Sequence, residues 1–210
     1  MPGASAWKSR DNNMADTGTT DRAIQMTLIA ATVGFSWLAM QATHEAGHVM
    51  HAWLSGGTVA CVVLHPAIIS HTVVWPNPRP LFVVWGGPIW GCLIPLALWG
   101  ATRRFARRFA FLARFFAGFC LIVNGVYLGA SAAMGGRDLD GPVILASGGS
   151  AWHVALFSLV ATGAGIWAWH GLGPDFGLGP AQGRVDRRAT AVVAALFAML
   201  VVIEIACATP

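Results

Sequence analysis

His44, Glu45 and His48 form the sequence His44-Glu45-Ala46-Gly47-His48, an HExxH motif set in an apolar stretch that runs from about Ile24 to Leu54. Residues four apart on a helix share a face, so both imidazoles can reach one metal ion, and the glutamate between them can take a proton from water at the metal. That is the core chemistry of a zinc hydrolase. With 7 His and 2 Glu in 210 residues, one such motif is expected by chance about 0.002 times. Coincidence is a poor explanation for it.

Catalytic zinc takes three protein ligands and keeps a fourth position for water, so the two histidines need a partner. His51 shares their face but lies about 10 Å along the helix axis from His44, too far to complete one tetrahedron. Asp138 and Asp140, in Gly135-Gly136-Arg137-Asp138-Leu139-Asp140-Gly141, directly follow an apolar segment and could return a carboxylate from another helix end. The other histidines, His65, His71, His153 and His170, read as interfacial or hydrogen-bonded residues. Asn124, within an apolar segment, reads equally as an interhelical hydrogen-bond former or as an oxyanion stabiliser. Glu204 receives no role.

The elements that must position these groups belong to a membrane protein. With 56% hydrophobic residues and 10% charged, the chain has too little charge to cover a soluble globule. Its net charge of +4 comes almost wholly from clustered arginines, a pattern of membrane orientation and not of nucleic-acid binding. Cys61, Cys92, Cys120 and Cys207 are far apart with no CxxC pair and read as small hydrophobes. Five apolar segments, at about 24–54, 81–101, 109–133, 152–170 and 189–207, are long enough to span a bilayer. Between the first two, the Val-, Ile- and Thr-rich stretch from Thr58 to Trp75, broken at Pro66, predicts a β-hairpin.

The expected architecture is thus an all-α polytopic protein of about five transmembrane helices with a short hairpin after the first. Residues 1–21 read as a flexible polar tail, with Asp21 capping the first helix. Residues 22–150 form the core that carries the motif, and 151–210 supply two further helices. Placing 11 of the 13 basic residues on the cytoplasmic side puts the N-terminus inside and the hairpin outside. It also sets HExxH in the outer half of its helix.

The combination of HExxH in the first core helix, a hairpin, Gly86-Gly87-Pro88 at the next span, Asn124 in the third and Leu139-Asp140-Gly141 near its end resembles the site-2 protease group of intramembrane zinc metallopeptidases, the M50 peptidases. The resemblance covers about residues 24–150. It implies His44, His48 and Asp140 as ligands of Zn2+, Glu45 as the base, and the hairpin as the holder of an extended substrate. It further implies a membrane-anchored protein as substrate and the bacterial cytoplasmic membrane as the site of action, with the lipid bilayer and no nucleic acid as partner. A non-proteolytic zinc protein acting in binding or assembly is the alternative; an intact Glu45 argues against it, because a purely structural site needs no base.

Overall fold

The computed structural model describes residues 4–136 and 139–208. In chain order the elements are α1 (Ala4–Ser55), β1 (Val59–Val63), β2 (His71–Val74), α2 (Pro80–Phe105), α3 (Ala110–Met134), α4 (Asp140–Ala146), α5 (Ala151–Trp169) and α6 (Arg187–Ala208), with short 3-10 turns at Arg107–Phe109, Gly173–Phe176 and Gly179–Ala181. The chain is 77% helical. Five helices, within Thr20–Ser55, Pro80–Phe105, Arg107–Met134, Ala151–Trp169 and Arg187–Ala206, are long and apolar enough to cross a membrane. Large apolar side chains on the outer faces of α5 and α6, such as Leu159, Ile166, Met199 and Val202, are exposed. That disposition suits hydrocarbon surroundings and would be unfavourable in water.

Helix α1 begins at Ala4 and not at the predicted cap Asp21, which lies inside it. The polar segment read as a tail contains no proline between Ala4 and Asp21, and extending an existing helix requires no new nucleation. The other end follows the sequence: Gly56 adopts φ 77° and Gly57 N–H returns to Ala52 O at 2.8 Å, closing the last turn. The chain then turns back along α1 as an antiparallel hairpin pairing Val63 with His71 and Val62 with Thr72, with an irregularity between Val59 and Cys61.

Helix α1 packs between α2 and α6, and α3 between α2 and α5. The closest approach joins α1 to α2. A Cβ on Gly47 would strike the Gly86 carbonyl, and one on Gly86 would strike that of Gly47, so the two main chains touch directly. Along α3, Gly118, Gly125 and Gly129 face Trp169, Thr162 and Ser158 of α5 in the same close manner, the small-residue packing that lets helices associate in lipid.

At one end of the bundle, Arg187 pairs with Asp21 at 3.0 Å and Arg108 with Asp186 at 2.6 Å, tying together the starts of α6, α3 and the first span. The guanidinium of Arg108 beside it holds the Asp186 carboxyl down at about 2. The hairpin and α4 lie toward the opposite end. Helix α4 was not anticipated from the sequence; it docks through Ile144, buried with Val84, Leu128 and Val154.

Candidate metal centre

The motif lies near the hairpin end of the first span, with Ser55 about 17 Å beyond His44 along the axis and Thr20 about 36 Å before it. His44, Glu45 and His48 are all buried, the glutamate to 3% exposure. Facing them is Asp140, the first residue of α4. Its approach depends on Gly141: a Cβ there would fall 2.6 Å from Ser131 Oγ, and the Gly141 N–H donates to that oxygen at 3.3 Å. The glycine thus seats the start of α4 on α3, which swings Asp140 inward.

The three side chains converge. His44 Nε2 lies 3.1 Å from His48 Nε2 and 2.9 Å from Asp140 Oδ2, while His48 Nε2 lies 3.5 Å from Asp140 Oδ1. Donors bound tetrahedrally at about 2.0–2.2 Å to one ion stand about 3.3–3.6 Å apart. The other ring nitrogens decide the chemistry. His44 Nδ1 lies 2.7 Å from Asn124 Oδ1, and Asn124 Nδ2 donates to Cys120 O at 2.8 Å, which fixes the amide with its oxygen toward the imidazole. His48 Nδ1 lies 3.0 Å from the Val83 carbonyl. Both partners accept only, so each imidazole donates through Nδ1–H and turns a lone pair on Nε2 into the centre.

Two nitrogen lone pairs and a carboxylate within 4.8 Å of one another form a set that could hold a metal ion. The Asp140 carboxylate, 13% exposed, adds an oxygen donor to the two nitrogen lone pairs. Space for the ion is provided by Gly87: a Cβ on this residue would lie 2.5 Å from His44 Nε2 and closer still to His48 Nε2. Helix α2 therefore passes over the donors with bare main chain.

Glu45 points to the hairpin side. Ser70 Oγ donates to its Oε1 at 2.8 Å and Thr72 Oγ1 to its Oε2 at 2.6 Å, while Ser70 N–H donates to Gln41 Oε1 at 2.9 Å. The glutamate is thus fixed beside the donor set without being part of it. Tyr127, one helical turn beyond Asn124, presents its ring edge-on to His44 with centroids 6.0 Å apart, and its hydroxyl accepts from Asp140 N–H at 3.4 Å.

Of the residues singled out from the sequence, His44, His48 and Asp140 come together, with Glu45 and Asn124 beside them. Asp138 lies outside the described residues. His51 stands apart from the donor set: its Nδ1 donates to Phe82 O at 2.6 Å and its Nε2 accepts from Trp90 Nε1 at 3.1 Å, which leaves neither nitrogen for a metal. The contributions of Ser70, Thr72, Gln41 and Tyr127 were missed. Tyr127 is the single tyrosine of the chain, spaced i to i+3 from Asn124, and that spacing was the available signal for it.

Fold and site together define a helical protein with five segments long and apolar enough to cross a membrane and a largely buried His-His-Asp group that could hold a metal ion. Comparison with family models, curated proteins and solved structures finds no match.

Proposed function

We propose that this protein is an intramembrane zinc metalloprotease of the site-2 protease kind, hydrolysing a peptide bond in or near a transmembrane segment of a membrane-anchored protein. One observation carries the reading: two buried histidines and a half-buried aspartate form a donor set, with a buried glutamate, Glu45, adjoining it in sequence and held in place by two hydroxyls. A purely structural site closes its fourth position with another protein ligand, and among the described residues no fourth His, Cys, Asp or Glu joins this group.

The donor set suits zinc, being two neutral imidazoles and one carboxylate. The chemistry zinc supplies in such a setting is polarisation of a carbonyl oxygen and acidification of water. The chain's own residues do the rest. Asn124 and the Val83 carbonyl hold the imidazoles in the ligating tautomer. Glu45 accepts the proton of the attacking water and passes it to the leaving amine. Ser70 and Thr72 keep its carboxylate from rotating away. A substrate helix must unwind before its peptide bond is accessible, and the hairpin edge offers main-chain partners to the extended segment by strand addition. The arginines gathered at the end away from the site support a cytoplasmic N-terminus; the bacterial cytoplasmic membrane is the seat we propose.

The bonds from Ser70 and Thr72 favour one other reading, a non-proteolytic zinc protein in which Glu45 only anchors the hairpin. Glu45→Gln separates the two. As a base the glutamate is irreplaceable, so the variant should keep its zinc and lose cleavage of membrane proteins by a factor of about 10²–10⁴. Cleavage products unchanged between wild-type and Glu45→Gln cells would end the protease reading.

A further inference from the structure

Beside the donor set is a cavity of about 130 Å³. Its walls are mostly apolar in surface, from Trp37 and Met40 of α1, Ile69 from the turn leading into β2, and Val123 and Tyr127 of α3, with Gln41, Ser70 and Asn124 adding uncharged polar groups. His44 and Glu45 form part of the same wall, so a group filling the cavity lies directly beside the reacting centre. Among the described residues that line it there is no Lys or Arg, and its one acid is Glu45. An apolar cavity of about 150 Å³ takes a benzene ring. Resting on the protease reading above, we infer that this cavity is the specificity pocket for the substrate residue adjoining the scissile bond, and that it selects an uncharged apolar side chain of the size of Phe or Leu.

The physical basis is burial. An apolar side chain entering the cavity leaves lipid headgroups or water for a wall largely of aromatic, thioether and branched carbons, whereas a carboxylate would meet Glu45 with no Lys or Arg side chain in the wall to pair it. An indole is bulkier than the single ring that this volume matches. Alanine leaves most of it unfilled.

Hydroxamates test this without turnover, since the head group binds zinc through two oxygens and the substituent reports on the neighbouring space. The probes are acetohydroxamic acid, 3-phenylpropanohydroxamic acid and 3-(indol-3-yl)propanohydroxamic acid. They are titrated against the zinc-loaded full-length protein in detergent, with the metal-free protein measuring partition into the micelle. The phenyl probe should bind at least about tenfold more tightly than acetohydroxamate, and the indolyl probe should gain less. Val123→Trp, which fills the cavity, should remove the phenyl advantage. Val123→Ala, which enlarges it and does not depend on the larger residue being tolerated, should shift preference toward the indolyl probe. Val126→Trp, on the exposed face of the same helix, should change neither. Equal affinity for all three probes, or a phenyl advantage unmoved by both Val123 variants, overturns the pocket while leaving the metal reading intact. If acetohydroxamate itself shows no zinc-dependent binding, the protease reading fails and the pocket falls with it.

Discussion

Gly87 of α2 and His44 of α1 face each other with no room for a methyl group between them, a Cβ on the glycine falling 2.5 Å from the imidazole Nε2. The contact turns a weak sequence feature, a glycine pair before a proline, into a requirement of the donor set. Gly87→Ala should lower zinc affinity by at least about tenfold, because the methyl occupies the face from which the ion is held. Zinc content after dialysis against a graded chelator measures this. Undiminished retention would mean that the ion sits on another side of the imidazoles.

The third donor gives a paired test. Asp140→Asn should strip the metal and all activity, since the amide removes the anion that approaches both Nε2 atoms, at 2.9 and 3.5 Å. Asp138→Asn should leave both nearly unchanged. The reverse result would assign the ligand to Asp138.

Asn124 holds His44 in its ligating tautomer through a 2.7 Å bond. Asn124→Leu keeps similar bulk, frees Nδ1 and should weaken zinc binding by about 10–100-fold. Asn124→Asp, which still accepts from Nδ1–H, should restore most of the affinity, an outcome a simple packing role for the residue would not give.

Thr72→Val removes the 2.6 Å hydroxyl contact to Glu45 with little change of shape. Loss of a hydrogen bond to a buried carboxylate costs about 1–3 kcal/mol, so the thermal midpoint in detergent should fall. If Glu45 is the base, turnover should fall while zinc content does not, because Thr72 touches no donor.

Orientation is read by single-cysteine labelling in a background without Cys61, Cys92, Cys120 and Cys207. A cysteine in the 102–108 link should label from the cytoplasm and one in the 64–70 turn from the opposite side. Hairpin labelling from the cytoplasm alone would invert the proposed topology.

The parts of this molecule visible in its sequence are those governed by local pattern. Apolar runs of about 20 residues mark the spans, the i to i+4 spacing of His44 and His48 marks the shared face, and Pro66 between Val-rich stretches marks the hairpin. A place just after an apolar segment narrowed the third donor to Asp138 or Asp140, and only motif resemblance favoured Asp140, since 96 residues separate it from His44 and no local spacing links the two. The grip of Ser70 and Thr72 on Glu45 was not legible. Hydroxyl residues in a hairpin are ordinary, and only the turning back of that hairpin along α1 makes two of them partners of a buried acid. Helix α4 was hidden for a different reason: at seven residues, Asp140–Ala146, it is too short for any periodicity to declare itself, and it is stabilised by what Ile144 packs against.

The direct meeting of Gly47 with Gly86 also sets how this site can vary. Where helices meet through side chains, their separation drifts as residues are exchanged and rotamers readjust. Main-chain atoms have no rotamers, so the gap between α1 and α2 acts as a fixed gauge one residue away from both His48 and Gly87. The outer, lipid-facing surfaces of α5 and α6 can therefore diverge widely in sequence while the reach from His48 to the Val83 carbonyl stays constant, and a saturation library should return a nearly blank column at each of these two glycines amid permissive neighbours.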